Sequence, residues 1–253
     1  DVYPYTAAGS GLAQSLPSWL QVGGDQEMLR IMRTKEGRKR ALFDMTKGHF
    51  RGLPWDFDSV VIAQVGSKNS ENLIGKSVEE IARDRKADPM ETYLDLVDEE
   101  DNKIGAVFHN RVESDVVYFL THELAMIGSD GNAVSPTGAY SRDKPHPRFY
   151  GTHPRILGRY VREQSYLSLE SAIQKMTNMP ATRLGLKDRG TIDRNYIADL
   201  VVFDPNEIVD TATFEAPHNL ADGISYVIVG GEIVVSDGEH TNARPGSVLR
   251  RGE

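Results

Sequence analysis

Two short apolar runs, Ile104-Gly105-Ala106-Val107-Phe108 and Met126-Ile127-Gly128, flank a segment with helical patterning. Each run is too short for a buried helix, so both read as strands. A nearly continuous apolar run suits a strand covered on both faces, the usual setting of a parallel sheet. Between the runs, Val116, Val117, Phe119 and Leu120 follow Ser114, a residue type that caps helices. Residues 104–131 therefore predict a β-α-β unit, the repeat of an α/β sheet or barrel.

The second run leads into Ser129-Asp130-Gly131. Barrel enzymes gather their chemistry at the carboxyl ends of strands, which makes Asp130 a candidate proton-transferring carboxylate. A plain turn or helix cap is the alternative for such a triplet. Residues 132–146 are polar, with Gly, Ser and Pro, and predict a long loop.

Upstream, Asp1 to Thr6 reads as a strand end feeding a Gly/Ser loop through Gly11. Residues 25–45 are patterned as a helix interrupted near Thr34 to Gly37, and 59–65 form a β-prone run. Ser77-Val78-Glu79-Glu80 is a capping box, and Asp88-Pro89 pairs an N-cap with proline at the first helical position. Downstream, Ser168 opens a helix through Met176, with Pro180 expected to end it. From Gly190 the character turns to all-β, with a strand over 198–204 and a hairpin over 226–235 turning on Gly230-Gly231. The expected division is an α/β domain over 1–185 and a small β domain over 186–253. Eight β/α units need about 250 residues, and this chain shows only two or three barrel strands.

Composition narrows the function. The chain has 253 residues and a net charge of −8, which argues against a nucleic-acid partner. Its basic run Lys35 to Arg40 includes Glu36 and reads as a solvated helix face. It contains no cysteine, so it has neither a disulfide scaffold nor a thiolate metal ligand. No apolar run approaches the ~18 residues of a membrane span.

A second constellation contains two His-Pro-Arg triplets, His146-Pro147-Arg148 and His153-Pro154-Arg155. Proline biases the residue before it toward extended geometry, which counts against His146 and His153 as a helical ligand pair. An arginine behind a rigid proline suits a carboxylate, which its planar fork can hold bidentately. A structural arginine satisfying loop carbonyls is the alternative. Tyr3 could place a phenol, and Ser10 a hydroxyl, near such a carboxylate, against core packing and loop solvation respectively. The other histidines, at positions 49, 109, 122, 218 and 240, are scattered and read as surface or packing residues.

The chain resembles the N-acyl-D-amino-acid deacylases (D-aminoacylases) of the amidohydrolase superfamily, and specifically their C-terminal half. The stretches that carry the resemblance are Asp1-Val2-Tyr3-Pro4-Tyr5-Thr6-Ala7, Met126-Ile127-Gly128-Ser129-Asp130-Gly131 and His146-Pro147-Arg148-Phe149-Tyr150-Gly151-Thr152. Met179-Pro180-Ala181, Leu184-Gly185-Leu186, Arg189-Gly190 and Ala243-Arg244-Pro245-Gly246 extend it over essentially the whole chain. Ala198-Asp199-Leu200-Val201-Val202-Phe203-Asp204 is common to many amidohydrolases, so it indicates the superfamily alone.

The resemblance implies the C-terminal part of a zinc-dependent (β/α)8 barrel with a small β-sandwich segment. It implies hydrolysis of the amide of N-acyl-D-amino acids to a carboxylate and a free D-amino acid. Asp130 would be the acid/base and could touch a second metal. Arg148, Tyr3 and Ser10 would hold the substrate carboxylate. The zinc ligands have no counterpart here, so they are expected upstream of residue 1, in an N-terminal half without which the chain is inactive. Expected partners are that half and the small-molecule substrate, with no membrane and a cytoplasmic setting. The rival expectations are a cyclic amidase of the hydantoinase type and a non-catalytic scaffold with the same fold.

Overall fold

The computed structural model describes residues 1–49 and 52–250. The chain separates into two units, one made of Asp1–Tyr5, Val112–Val134 and the chain from Pro147 onward, the other of Thr6–Arg111 and Ser135–His146.

The second of these units begins with strand β1 (Ala8–Gly11), followed by helices α1 (Ser18–Gln21), α2 (Asp25–Met32) and α3 (Lys35–Met45). Strand β2 (Val60–Gln64), helices α4 (Val78–Arg85) and α5 (Pro89–Glu99), and strand β3 (Gly105–Phe108) complete it. The break between α2 and α3 has a local cause. Thr34 caps α3 by accepting a hydrogen bond from the Gly37 amide at 3.0 Å. A Cβ at Gly37 would stand 2.2 Å from the Ile31 carbonyl, so only glycine fits that corner. The capping box forms at Ser77 and Glu80, and Asp88 accepts from the amides of Met90 and Glu91. Within the basic run, Lys35, Lys39 and Arg40 are solvated, while Arg38 pairs with Glu91 and Asp95.

The three strands order as β1-β3-β2, and both pairings are antiparallel. This corrects the parallel reading of residues 104–108. As the central strand, β3 is buried along most of its length. A continuous apolar run reports burial on both faces, and a central antiparallel strand meets that condition too. The β-α-β unit expected over 104–131 is not formed, because β3 and Ile127 belong to different units. Ala8–Gly11 pairs with β3 and is a strand instead of a loop.

In the first unit, helix α6 (Glu113–Thr121) starts one residue before Ser114, so Ser114 is not its cap. Residues 132–146 contain no helix or strand, as expected of a loop. Helix α7 (Arg148–Arg155) passes into a π-helical stretch, Ile156–Glu163. Pro154 lies inside α7, where it removes one amide donor and crowds the preceding turn; widened turns follow it. His153 is therefore helical, against the extended geometry expected before a proline.

Helix α8 (Leu169–Met176) is capped by Ser168, and Pro180 lies in the first turn of α9 (Asn178–Leu184), where a missing amide costs little. The four strands β4 (Leu200–Phe203), β5 (Ile224–Val229), β6 (Glu232–Ser236) and β7 (Glu239–His240) form an antiparallel sheet in that order. Gly230 and Gly231 both have positive φ, 57° and 84°, as a tight two-residue hairpin turn requires. Val116, Leu120, Ile127, Ile156, Leu157 and Tyr160 lead the core of this unit.

Candidate functional site

Val2 and Ile127 form a parallel bridge. The Val2 amide donates to the Met126 carbonyl at 3.0 Å, and the Gly128 amide donates to the Val2 carbonyl at 3.1 Å. Two segments far apart in sequence thus run side by side in one direction. Tyr3 leaves the end of one, and Asp130 leaves the end of the other. The parallel pairing that 104–131 was expected to supply is present, but Ile127 makes it with Val2.

Asp130 is held at φ +47°, a left-handed backbone that aspartate tolerates better than most residues. The turn is braced by the Ser129 hydroxyl, which accepts from the Gly131 amide at 3.2 Å. Gly131 is required for close approach, since a Cβ there would stand 3.1 Å from Phe149 Cα and 3.3 Å from the Arg148 carbonyl oxygen.

Arg148 is the first residue of α7, and its side chain is only 7% exposed against 68% for Asp130. Its Nη2 meets the Asp130 carboxylate at 2.9 Å, and its Nε donates to the Asp130 backbone carbonyl at 2.8 Å. The guanidinium lies over the Tyr3 ring, 4.8 Å from its centroid. Tyr3 is itself buried. A buried cation, an aromatic face and an exposed carboxylate therefore meet beyond the bridge that joins two parallel segments. This arrangement can recognise an anion and move a proton.

Seven residues along the same helix, Arg155 makes a second set of contacts. Its Nε donates to the Pro4 carbonyl at 2.9 Å, its Nη1 pairs with Asp210 at 2.9 Å, and its guanidinium lies 4.8 Å from the Tyr5 centroid. Burial works against the Arg155 charge, but the charge and hydrogen bond of Asp210 outweigh it and raise its pKa. Burial, and then the Asp210 charge, push the Tyr5 phenol well above its usual value, so it stays protonated. Sequence reasoning singled out Arg148 and assigned nothing to Tyr5, Arg155 or Asp210. The repeated His-Pro-Arg triplet was the available signal.

The remaining candidates have other surroundings. Ser10 lies on β1 in the other unit, and its hydroxyl is hydrogen-bonded to Gln14. His146 is buried, with Nε2 at 3.0 Å from the Ala7 carbonyl oxygen. His153 is exposed on α7. Among the described residues, no three His, Cys, Asp or Glu side chains converge to hold a metal ion. Asp130 faces an arginine, and the described residues do not build a metal site among themselves. No helix among the described residues is long and apolar enough to cross a membrane.

Comparison with known proteins gives the same picture of relatedness. Residues 120–235 match the amidohydrolase family. The chain is 39% identical over 179 residues to D-aminoacylase of Alcaligenes xylosoxydans xylosoxydans, which covers 71% of this chain and 34% of that protein. A solved structure of D-aminoacylase, a protein described with a binuclear metal centre, superposes with a TM-score of 0.73 at 33% identity. It covers 99% of this chain and 42% of that one. N-acyl-D-glutamate deacylase from Bordetella bronchiseptica, solved with zinc and a phosphonate mimic of the tetrahedral intermediate, superposes with a TM-score of 0.71 at 27% identity and the same coverage. The chain thus spans about a third of the length of its curated relative and under half of the solved ones.

Proposed function

We propose that this chain, which matches the amidohydrolase family over residues 120–235 and resembles D-aminoacylase, is a member of that family and carries the carboxylate anchor and proton-transferring group of an N-acyl-D-amino-acid deacylase. The observation that carries this reading is the convergence of Tyr3, Asp130 and Arg148 beyond the parallel bridge of Val2 and Ile127. Three positions spread over the sequence come together with the chemistry that an N-acyl amino acid requires. Its free carboxylate needs a cation, and its amide needs a group that takes and returns a proton.

Arg148 is the anchor, with Tyr3 packed on its guanidinium. In the structure Arg148 holds Asp130. A substrate carboxylate arriving at Nη2 replaces the aspartate there and releases it toward the scissile amide. Asp130 then accepts a proton as water adds to the amide carbon. It passes that proton to the nitrogen as the C–N bond breaks, leaving a carboxylic acid and a free D-amino acid. General acid–base transfer of this kind contributes roughly 10²–10⁴-fold.

In this reading the bridge of Val2 to Ile127 is the closing end of a (β/α)8 barrel, and the sheet β4 to β7 is part of a small β-sandwich. The relatives' metal centres support zinc as the cofactor. It would be bound by residues other than those described here, since these do not converge on an ion.

The test is Arg148→Met in the full-length protein, with an N-acetyl-D-amino acid and its carboxamide compared as substrates. Loss of a charge-assisted anchor costs on the order of 2–5 kcal/mol. The cost should fall on the carboxylate substrate alone. An equal loss on both substrates makes Arg148 a structural residue and sinks the reading. A ring amide of the hydantoin type has no free α-carboxylate, so the same comparison tells a cyclic amidase apart.

A further inference from the structure

Arg155 contacts both of the elements that have to meet for Arg148 and Tyr3 to touch. It lies on α7, two helical turns beyond Arg148. Its Nε donates at 2.9 Å to the carbonyl of Pro4, the residue between Tyr3 and Tyr5. Its other end is fixed by Asp210, whose side chain is 7% exposed. Tyr5 lies under the guanidinium and reaches back to the Pro147 carbonyl, directly before Arg148. From the Tyr3 strand end to the start of α7, these contacts close a ring around the anchor.

The packing leaves this ring little slack. Gly151 lies between the two arginines, and a Cβ there would stand 2.6 Å from the Tyr5 hydroxyl and 3.0 Å from Asp210 Cβ. One heptad later, Gly158 would place a Cβ 2.8 Å from the Ile208 carbonyl oxygen, to which Arg162 donates at 2.6 Å. The segment bearing Asp210 thus rests on the face of the helix that contains Gly151 and Gly158. Asp210 is held in place, and it holds Arg155.

We propose that Arg155 is a positioning residue: paired with Asp210, it ties the Pro4 carbonyl to α7 and so fixes how Arg148 sits over Tyr3 for carboxylate binding. This rests on the reading of Arg148 as the anchor and adds a residue that touches no substrate. The geometry gives the role a specific signature. Lysine can keep the charge at position 155 but has one nitrogen, so it cannot reach Asp210 and Pro4 in the same fork geometry. A misplaced anchor weakens carboxylate binding while proton transfer at Asp130 goes on.

The experiment uses the full-length protein and the variants R155K, D210N and R148M. KM and kcat are measured for an N-acetyl-D-amino acid and its carboxamide, with melting temperature as the folding control. For R155K and D210N, KM for the carboxylate should rise about tenfold, a loss of about 1.4 kcal/mol of binding. KM for the carboxamide and both kcat values should stay close to those of the parent. If R155K does not fold, D210N decides alone. If R148M raises KM for the carboxylate selectively and the two positioning variants do not, Arg155 is structural and the proposal is overturned while the anchor stands. If R148M itself shows no selectivity, the anchor reading fails and the positioning role falls with it.

Discussion

Arg148 grips Asp130 at two points, its Nη2 on the carboxylate at 2.9 Å and its Nε on the backbone carbonyl at 2.8 Å. One guanidinium thereby contacts both the side chain and the backbone of the aspartate, and the pairing brings the two groups of the proposed function into contact.

We expect Asp130→Asn to lower kcat of the full-length protein by roughly 10²–10⁴-fold. Asparagine retains the turn and an acceptor for Arg148 but cannot carry the proton. Metal content, read by elemental analysis, should remain near that of the parent. Turnover close to the parent's would remove Asp130 from the mechanism.

Gly151→Ala should lower stability by about 1–3 kcal/mol, the usual cost of inserting a methyl into a filled space. The methyl has nowhere to go between the Tyr5 hydroxyl and Asp210. Denaturant unfolding measures this, and an unchanged midpoint would show that the ring around Arg148 is looser than its distances imply.

Lys175 is buried, and its ammonium donates to the carbonyls of His122 at 2.5 Å and Ala125 at 2.9 Å, just ahead of the bridge at Ile127. Replacing it with Met keeps the length and leaves those acceptors without their donor. We expect a loss of about 1–3 kcal/mol, and faster amide exchange at Ile127, which donates to the Lys175 carbonyl. Exchange unaltered at that amide would count against this role.

In the second unit, Ser77→Ala removes one half of the capping box of α4. The expected cost is ~0.5–2 kcal/mol, and thermal denaturation would register it. Glu80→Gln should cost less, because the amide can still accept from the Ser77 backbone. A larger loss for E80Q than for S77A would mean that charge at the helix end dominates.

What could be read in the sequence was what local chemistry decides. The caps at Ser77, Asp88 and Ser168, the break at Thr34 and the hairpin at Gly230-Gly231 each depend on a few neighbouring residues, and each formed. Strand direction was not legible. The apolar run at 104–108 encodes burial, and the partners β1 and β2 that made it antiparallel lie far away in sequence. Within the site, Asp130 and Arg148 were marked by their own motifs, whereas Tyr3 showed only a β-prone start. Asp210 had no local mark, because its importance comes from the arginine it meets. Pro154 misled for a different reason. The preference of the residue before proline is a bias of a few backbone states, and α7 overrides it at His153.

The Arg111 amide donates to the Thr6 carbonyl at 3.1 Å, so the long stretch from Thr6 to Arg111 begins and finishes at neighbouring points. Its three-stranded sheet draws every strand from inside that stretch. Closing a stretch of another length between the same two peptides changes the free energy only by ~0.6 kcal/mol per doubling, so the interior of this stretch can grow or shrink while Thr6 and Arg111 stay side by side.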